Sequence, residues 1–275
     1  MGRRLINRRP GRFAALHLTI APFVIIALLY AAASAVRLAE NPNDKLLPAP
    51  TAFVESVQRL AFSPDQRSGT YLWWNDTAAS LERLGIGLAV SVAAGLVIGV
   101  AVGLIPVMTV TFRAVIAVIS VVPPLALLPI LFIVFGLGET GKIVLIIIGI
   151  TPFLVRDMAM RVGELPTEQL IKAQTLGAST WQIVTRVVLP QILPRLVDAV
   201  RLSLGPAWLF LIASEAIAAT EGLGYRIFLV RRYMAMDVIL PYVAWITLLA
   251  YVMDLSLRHL SRRAFPWAIT GEARS

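Results

Sequence analysis

The chain has 275 residues, 58% hydrophobic and 15% charged, with no cysteine, a mean hydropathy of +0.78 and a formal net charge of +9. This composition excludes disorder, collagen-like repeats and a disulfide framework. The apolar residues fall into blocks such as 110–135 and 143–154, longer than strands need, and the 25 Lys and Arg flank these blocks instead of forming a face that reads nucleic acid.

Taken in order, the blocks predict an all-α polytopic membrane protein with about six crossings, each near the ~20 residues that a hydrocarbon layer of about 30 Å demands. Arg3, Arg4, Arg8, Arg9 and Arg12 precede the first block, 14–36; no cleavage pattern closes a short apolar core there, so a retained span is expected. The segment 37–84 reads as an outside loop. Within it, Phe53, Val57, Leu60 and Ala61 recur at helical spacing and predict a short surface helix. Trp73 and Trp74 precede the second span, 85–105, as headgroup anchors. The third span, 114–135, contains Pro123, Pro124 and Pro129, whose missing amide donors must disturb it. Gly136, Gly141 and Lys142 match all but the last place of a phosphate-cradling loop. Ile143 stands where a hydroxyl is needed, so the segment reads as a turn. The remaining spans are 143–156, 196–219 and 238–257, with Pro152, Pro206 and Pro241 interrupting them.

With the amino terminus in the cytoplasm, an even number of crossings returns the carboxyl terminus there. The inside segments then hold 15 Lys and Arg against 9 outside, as membrane topology requires.

The stretch 158–195 is too polar to cross and too patterned for a linker. Glu164-Leu165-Pro166 leads into a helical run to Leu176, Gly177 stands as its terminator, and a second run, 179–188, reaches Leu189-Pro190 and Pro194, where continuation is discouraged. Two short helices joined by a glycine turn are predicted. This loop resembles the signature of permease subunits of bacterial ATP-binding-cassette importers: Glu-Ala-Ala, three residues, Gly, nine residues, Ile, any residue, Leu-Pro. Aligned on Gly177, the second Ala is Ala173, the Ile is Val187 and the Leu-Pro is Leu189-Pro190. Ile171 and Lys172 replace the acid and the first Ala, and Glu168, one turn upstream, is the candidate substitute acid.

Further strings are similar to the nitrate, taurine, alkanesulfonate and bicarbonate branch. They are Val122-Pro123-Pro124-Leu125-Ala126, Gly136-Leu137-Gly138-Glu139-Thr140, Gly205-Pro206-Ala207-Trp208, Ser214-Glu215 and Gly222-Leu223-Gly224-Tyr225. The end, Arg262-Arg263-Ala264-Phe265-Pro266-Trp267, is similar to taurine-type permeases. The resemblance implies a tail and first span (1–36), a periplasmic loop (37–84), a core permease domain (85–260) with coupling loop 158–195, and a cytoplasmic tail (261–275). It also implies a bacterial inner-membrane location, a second permease copy as homodimer partner, two ATP-binding subunits holding ATP and Mg, a periplasmic substrate-binding protein, and no cofactor in this chain. Glu168, Ala173, Gly177, Ala178, Trp181, Val187, Leu189 and Pro190 are the candidate coupling residues, with Leu176, Trp181 and Ile183 as anchors for a partner's pocket. The expected substrate is a small anion or zwitterion such as taurine, another sulfonate or nitrate. A small nitrogen compound of the guanidine or urea type, or a thiamine-precursor pyrimidine, is the alternative.

Nothing in the sequence frames an enzyme: His17 and His259 lie near span ends, and no carboxylate pair has a catalytic spacing. Charges within spans are costly and tend to face protein or water. Asp198 and Arg201 are spaced to pair, and Glu215 lies on a similar face four turns further, about 21 Å along the axis. Either a lining of the translocation path or a bond to a neighbouring helix accounts for Glu215. Pro123, Pro124, Arg201, Trp208 and Glu215 are the candidate path residues. Arg226, Arg231 and Arg232 form an outside basic patch. The competing class, an ion-coupled carrier using Asp198, Glu215 and Asp254, calls for inverted repeats that the sequence lacks.

Overall fold

The computed structural model describes residues 11–42, 44–66 and 68–268, and every regular element among them is helical. In chain order these are α1 (Arg12–Glu40), α2 (Pro50–Phe62), α3 (Leu72–Leu104), α4 (Pro106–Ile119), a 3-10 turn (Pro124–Leu127), α5 (Leu128–Phe135) and α6 (Glu139–Gly163). There follow α7 (Thr167–Thr175), α8 (Thr180–Ile183), a π turn (Val184–Val188), α9 (Leu189–Ala218), α10 (Leu223–Arg231) and α11 (Met236–Ala264). Arg3, Arg4, Arg8 and Arg9, together with Arg67 and the tail beyond Ala268, lie outside the described residues.

The pair α3 and α6 forms the centre. Gly87, Gly95, Gly99 and Gly103 line one face of α3, and a Cβ at each would fall 2.7, 2.6, 2.5 and 2.6 Å from side-chain atoms of Ile146, Leu154, Met158 and Val162. Only hydrogen fits there, so the two backbones approach along a ladder of small residues that Ser91 continues. The matched numbers rise together, so α3 and α6 run parallel. The chain between them must therefore travel back across the bundle.

That return is made by α4 and α5, which are bent by 79° at the break between them. Pro123 and Pro124 lack amide donors and keep their predecessors out of the helical region, so α4 stops at Ile119. Among the described residues, five helical stretches are long and apolar enough to span a bilayer, namely α1, α3, α6, the continuous α8–α9 helix and α11, and the bent pair makes a sixth if it counts as one span. The third span, 114–135, which its prolines predict to be disturbed, is thus two pieces.

Other boundaries differ from expectation for identifiable reasons. Helix α3 starts at Leu72, inside the expected loop, because Trp73 is a core residue, 4% exposed with its ring 4.6 Å from that of Tyr242. Only Trp74 stays exposed, its indole donating to Ala61 O at 3.1 Å. The expected surface helix is α2, wedged against α3 and α11, with Ser56 Oγ donating to Asp237 at 2.7 Å. Helix α6 overruns 143–156 at both ends. Pro152, Pro206 and Pro241 lie inside unbroken helices, because in lipid the intact turns around them keep the other backbone groups paired.

Helix α1 stands apart. It is apolar on nearly every side and exposes most of its large side chains, as a lipid-facing helix does. Its far end is tied to the following loop by Tyr30 Oη donating to Pro48 O at 2.8 Å and Ser34 Oγ donating to Leu47 O at 3.0 Å.

Candidate functional site: the Gly177 hairpin and the charged ends of the bundle

The hairpin follows α6 at one end of the bundle. Pro166 starts α7, and Gly177, at φ +81°, ends it. Gly177 N donates to Gln174 O at 2.9 Å and Ala178 N to Ala173 O at 3.0 Å, the paired bonds of a Schellman cap that a left-handed glycine completes. The chain then reverses into a capping box. Ser179 N donates to Gln182 Oε1 at 2.8 Å, while Ser179 Oγ accepts from Gln182 N at 3.3 Å. Gln191 Nε2 donates to Gln169 Oε1 at 3.0 Å and ties α7 to the root of α9.

The expected stop at Leu189-Pro190 does not occur. A π turn, with Leu189 N donating to Val184 O, absorbs Pro190 and carries the helix on into α9, so the hairpin is the rigid end of a membrane helix. Val187 is half-buried there, and its carbonyl accepts from Gln191 Nε2 at 2.8 Å. Ala173, Ala178, Leu189 and Leu170 turn inward onto the core. Leu176 and Trp181, 79% and 73% exposed, point away with Ile171, and Glu168 is exposed on the first turn of α7. Ile183, expected as a third anchor, is 6% exposed and belongs to the core, one face round from Trp181.

At the opposite end, a buried charged network joins four helices. Arg83 of α3 donates from Nη1 to Glu215 Oε1 of α9 at 2.7 Å and to Glu221 O at 2.9 Å. It also pairs with Glu139 at the start of α6, and Glu139 holds the buried Lys142 at 2.8 Å. Ser80 Oγ donates to Glu215 at 2.7 Å and accepts from Leu223 N at 2.8 Å, and Gly224 N donates to Glu215 Oε2 at 2.8 Å. Beside this lies a second buried acid. Asp76 accepts from Gly222 N at 3.0 Å, Arg226 Nε at 2.7 Å and Tyr242 Oη at 3.0 Å. The turn before α10 depends on Gly222, at φ +125°, since a Cβ there would meet the Glu215 carboxyl group at 2.6 Å.

The candidate path residues are not brought together. Pro123 is exposed and Pro124 half-buried at the α4–α5 break. Arg201 is half-buried, donating to Asp254 at 2.8 Å and, as expected, to Asp198 at 3.1 Å. Trp208 is buried with its indole N–H lacking a partner among the described residues, and Glu215 is sealed in the network. Of the outside basic patch, Arg226 is taken by Asp76. The sequence reading missed Arg83, Asp76 and Ser80, although 76, 80 and 83 share one helical face and run on into the glycine ladder.

Residues 91–266 match the family described as the binding-protein-dependent transport system inner membrane component. The taurine transport system permease protein TauC of Escherichia coli (strain K12) is 36% identical over 221 residues, 80% of this chain and 80% of that protein. The nitrate import permease protein NrtB of Synechococcus elongatus is 30% identical over 149 residues, 54% of this chain and 53% of that one. Among solved structures, an inward-facing form of the MetNI methionine ABC transporter is similar with a TM-score of 0.56 at 24% identity, covering 69% of this chain and 93% of that chain.

Proposed function

Because the chain belongs to the family of binding-protein-dependent transport system inner membrane components, whose members are non-catalytic multi-pass permeases working with a separate ATPase and a binding protein, we propose that it couples that ATPase to import through the Gly177 hairpin. One observation carries this reading. Leu176 and Trp181 project from a turn fixed by a Schellman cap and a capping box, at the end of a helix that runs unbroken through the membrane. A push on such a turn moves α9 as a body.

The hairpin end is then cytoplasmic, as are both termini, in keeping with the count of basic residues. One hairpin drives one half of a gate, so two copies of the chain pair, two ATPase subunits serve them, and the path lies between the copies. The bent α4–α5 pair, with Pro123 and Pro124 and no buried residue in α4, offers the free face for it. Glu215, Arg201 and Trp208 take the structural part instead, since their partners and burial lie within one copy.

The substrate we assign is a small organosulfonate of the taurine type, supported by the similarity to the taurine permease along four-fifths of the chain. The test is uptake of labelled taurine into vesicles holding the permease with its ATPase and binding protein. Uptake that vanadate abolishes supports the proposal. Uptake that survives ATP depletion and collapses with an uncoupler refutes the coupling, and a binding protein whose melting temperature rises with nitrate or a guanidine but not with taurine refutes the substrate.

A further inference from the structure

Arg113 and Arg156 stand at the edges of the predicted spans 114–135 and 143–156, where a cation costs little. The structure places both further in. Helix α4 begins at Pro106, seven residues before Arg113, and α6 ends at Gly163, seven residues after Arg156. Each side chain is therefore rooted about 10 Å inside the hairpin end of its helix. Because α4 turns back beside the end of α3, with Thr109 Oγ1 donating to Val102 O, the two arginines stand at one level. They share the wall of a cleft of about 550 Å³ between α4 and α6, which small residues, Gly103, Ala117 and Ala159, keep open.

No acid lines this cleft, and neither Arg113 nor Arg156 has an ion pair or hydrogen bond among the described residues. Helix α4 contains no acid. Asp157 and Glu164, which follow Arg156 in the chain, are both held by Arg161, at 3.7 and 3.2 Å. Glu272 is the one acid outside the described residues, and it follows α11, which packs on α2, α9 and α10. Cations rooted at this depth are costly unless they meet an acid, water or an anion. With the acids of the chain engaged elsewhere, the cleft suits an anion that arrives and leaves. A lipid headgroup belongs to the boundary layer at the helix ends, whereas a solute moving along α4 passes the two arginines at their own level.

We infer that Arg113 and Arg156 form an anion station on the inner half of the path, where the sulfonate oxygens of the substrate accept hydrogen bonds from both guanidinium groups before release. This deepens the reading above and rests on α4 lining the path. The cleft offers nothing to an ammonium group, so it reads the sulfonate and not the amine, and a sulfonate without an amine is held as well as taurine.

The chain has no cysteine, so Ala117→Cys, one turn beyond Arg113, gives the permease a single thiol in the cleft. Permease with its ATPase, without nucleotide, is treated in inside-out vesicles with sulfonatoethyl methanethiosulfonate or its trimethylammonium counterpart, and each rate is divided by that of the same reagent with a free thiol. The anionic reagent is expected to be favoured about tenfold, the order that a cleft of one charge sign adds to the arrival of the opposite sign. Taurine and 2-hydroxyethanesulfonate slow it, and ethanolamine does not. Arg113→Gln with Arg156→Gln abolishes the preference and cuts taurine uptake severalfold, while Arg113→Lys with Arg156→Lys keeps the preference. Should the Gln pair fail to insert, protection by taurine and the Lys pair still decide. Equal normalised rates overturn the inference while the path reading stands. So does protection by phosphatidylglycerol in the vesicle instead of by taurine, which makes this a lipid site, and so does full taurine uptake by the Gln pair, which puts the anion site off the path. A thiol that neither reagent reaches shows the cleft covered by a second copy or by the ATPase and overturns it as well. Uptake that proved independent of ATP would sink the coupling reading and leave these rates as they are.

Discussion

Arg83 of α3 and Glu215 of α9 meet at 2.7 Å with both side chains withdrawn from solvent, so a full ion pair is held inside one copy of the bundle. Such a pair contributes little net stability, yet removing one partner leaves a buried charge and costs about 3–5 kcal/mol. Glu215→Ala and Arg83→Ala are each expected to lower the melting temperature and the yield of membrane-inserted protein sharply. The double replacement Arg83→Met, Glu215→Leu should lose much less than the two losses added together. Additive losses in that cycle would show that the two charges act separately.

The ladder between α3 and α6 gives a graded forecast. At Gly99 a Cβ would stand 2.5 Å from Met158 Cβ, whereas at Gly85 nothing lies within 4 Å. Gly99→Val is expected to prevent assembly, because overpacking at one rung costs about 1–3 kcal/mol or more and here the obstacle is a helix, not a flexible tip. Gly85→Ala should be silent or slightly stabilising. A folded, transport-competent Gly99→Val protein would show that the helices do not meet along this face.

Much of this was legible from the residues alone, and the failures have common physical roots. The helical class and the turn at Gly177 were readable because lipid forces backbone pairing into helices and because a left-handed cap selects glycine. The break at Pro123-Pro124 was legible as a disturbance, but its 79° angle depends on how α5 packs onto α6. The start of α3 was misplaced because Asp76 and Arg83 look like loop residues until partners on α9, α10 and α11 neutralise them. Hydropathy scores each charge alone, whereas burial of Glu215 is a property of a pair separated by 132 positions. The same reasoning explains the continuation past Pro190, since a π turn removes the penalty that a proline carries in an α-helix.

Replacing Gly177 by valine tests whether the hairpin transmits force. The φ of +81° strains any β-branched residue by about 1–3 kcal/mol, so the cap should open while the distant core survives. We expect the permease to insert and to keep its melting temperature within a few degrees, with ATP hydrolysis no longer raised by the loaded binding protein and uptake lost. Ser179→Ala, which removes a cap worth about 1 kcal/mol, should show a weaker form of the same defect. Unchanged substrate-stimulated turnover in Gly177→Val would mean that energy enters elsewhere.

Trp181 and Ile183 are two residues apart on one short helix, yet one is 73% exposed and the other 6%. That contrast separates docking from folding. Trp181→Ser removes an exposed ring and should leave thermal stability unchanged, while the share of ATPase subunits that copurify falls about tenfold, as loss of an aromatic anchor does at an interface. Ile183→Ser opens a cavity and adds an unpaired hydroxyl in the core, so its effect should appear first in melting temperature, by an amount corresponding to about 2 kcal/mol or more. If Trp181→Ser instead destabilised the isolated permease and left ATPase retention intact, the hairpin's outward face would be a packing surface within the membrane assembly and not the dock.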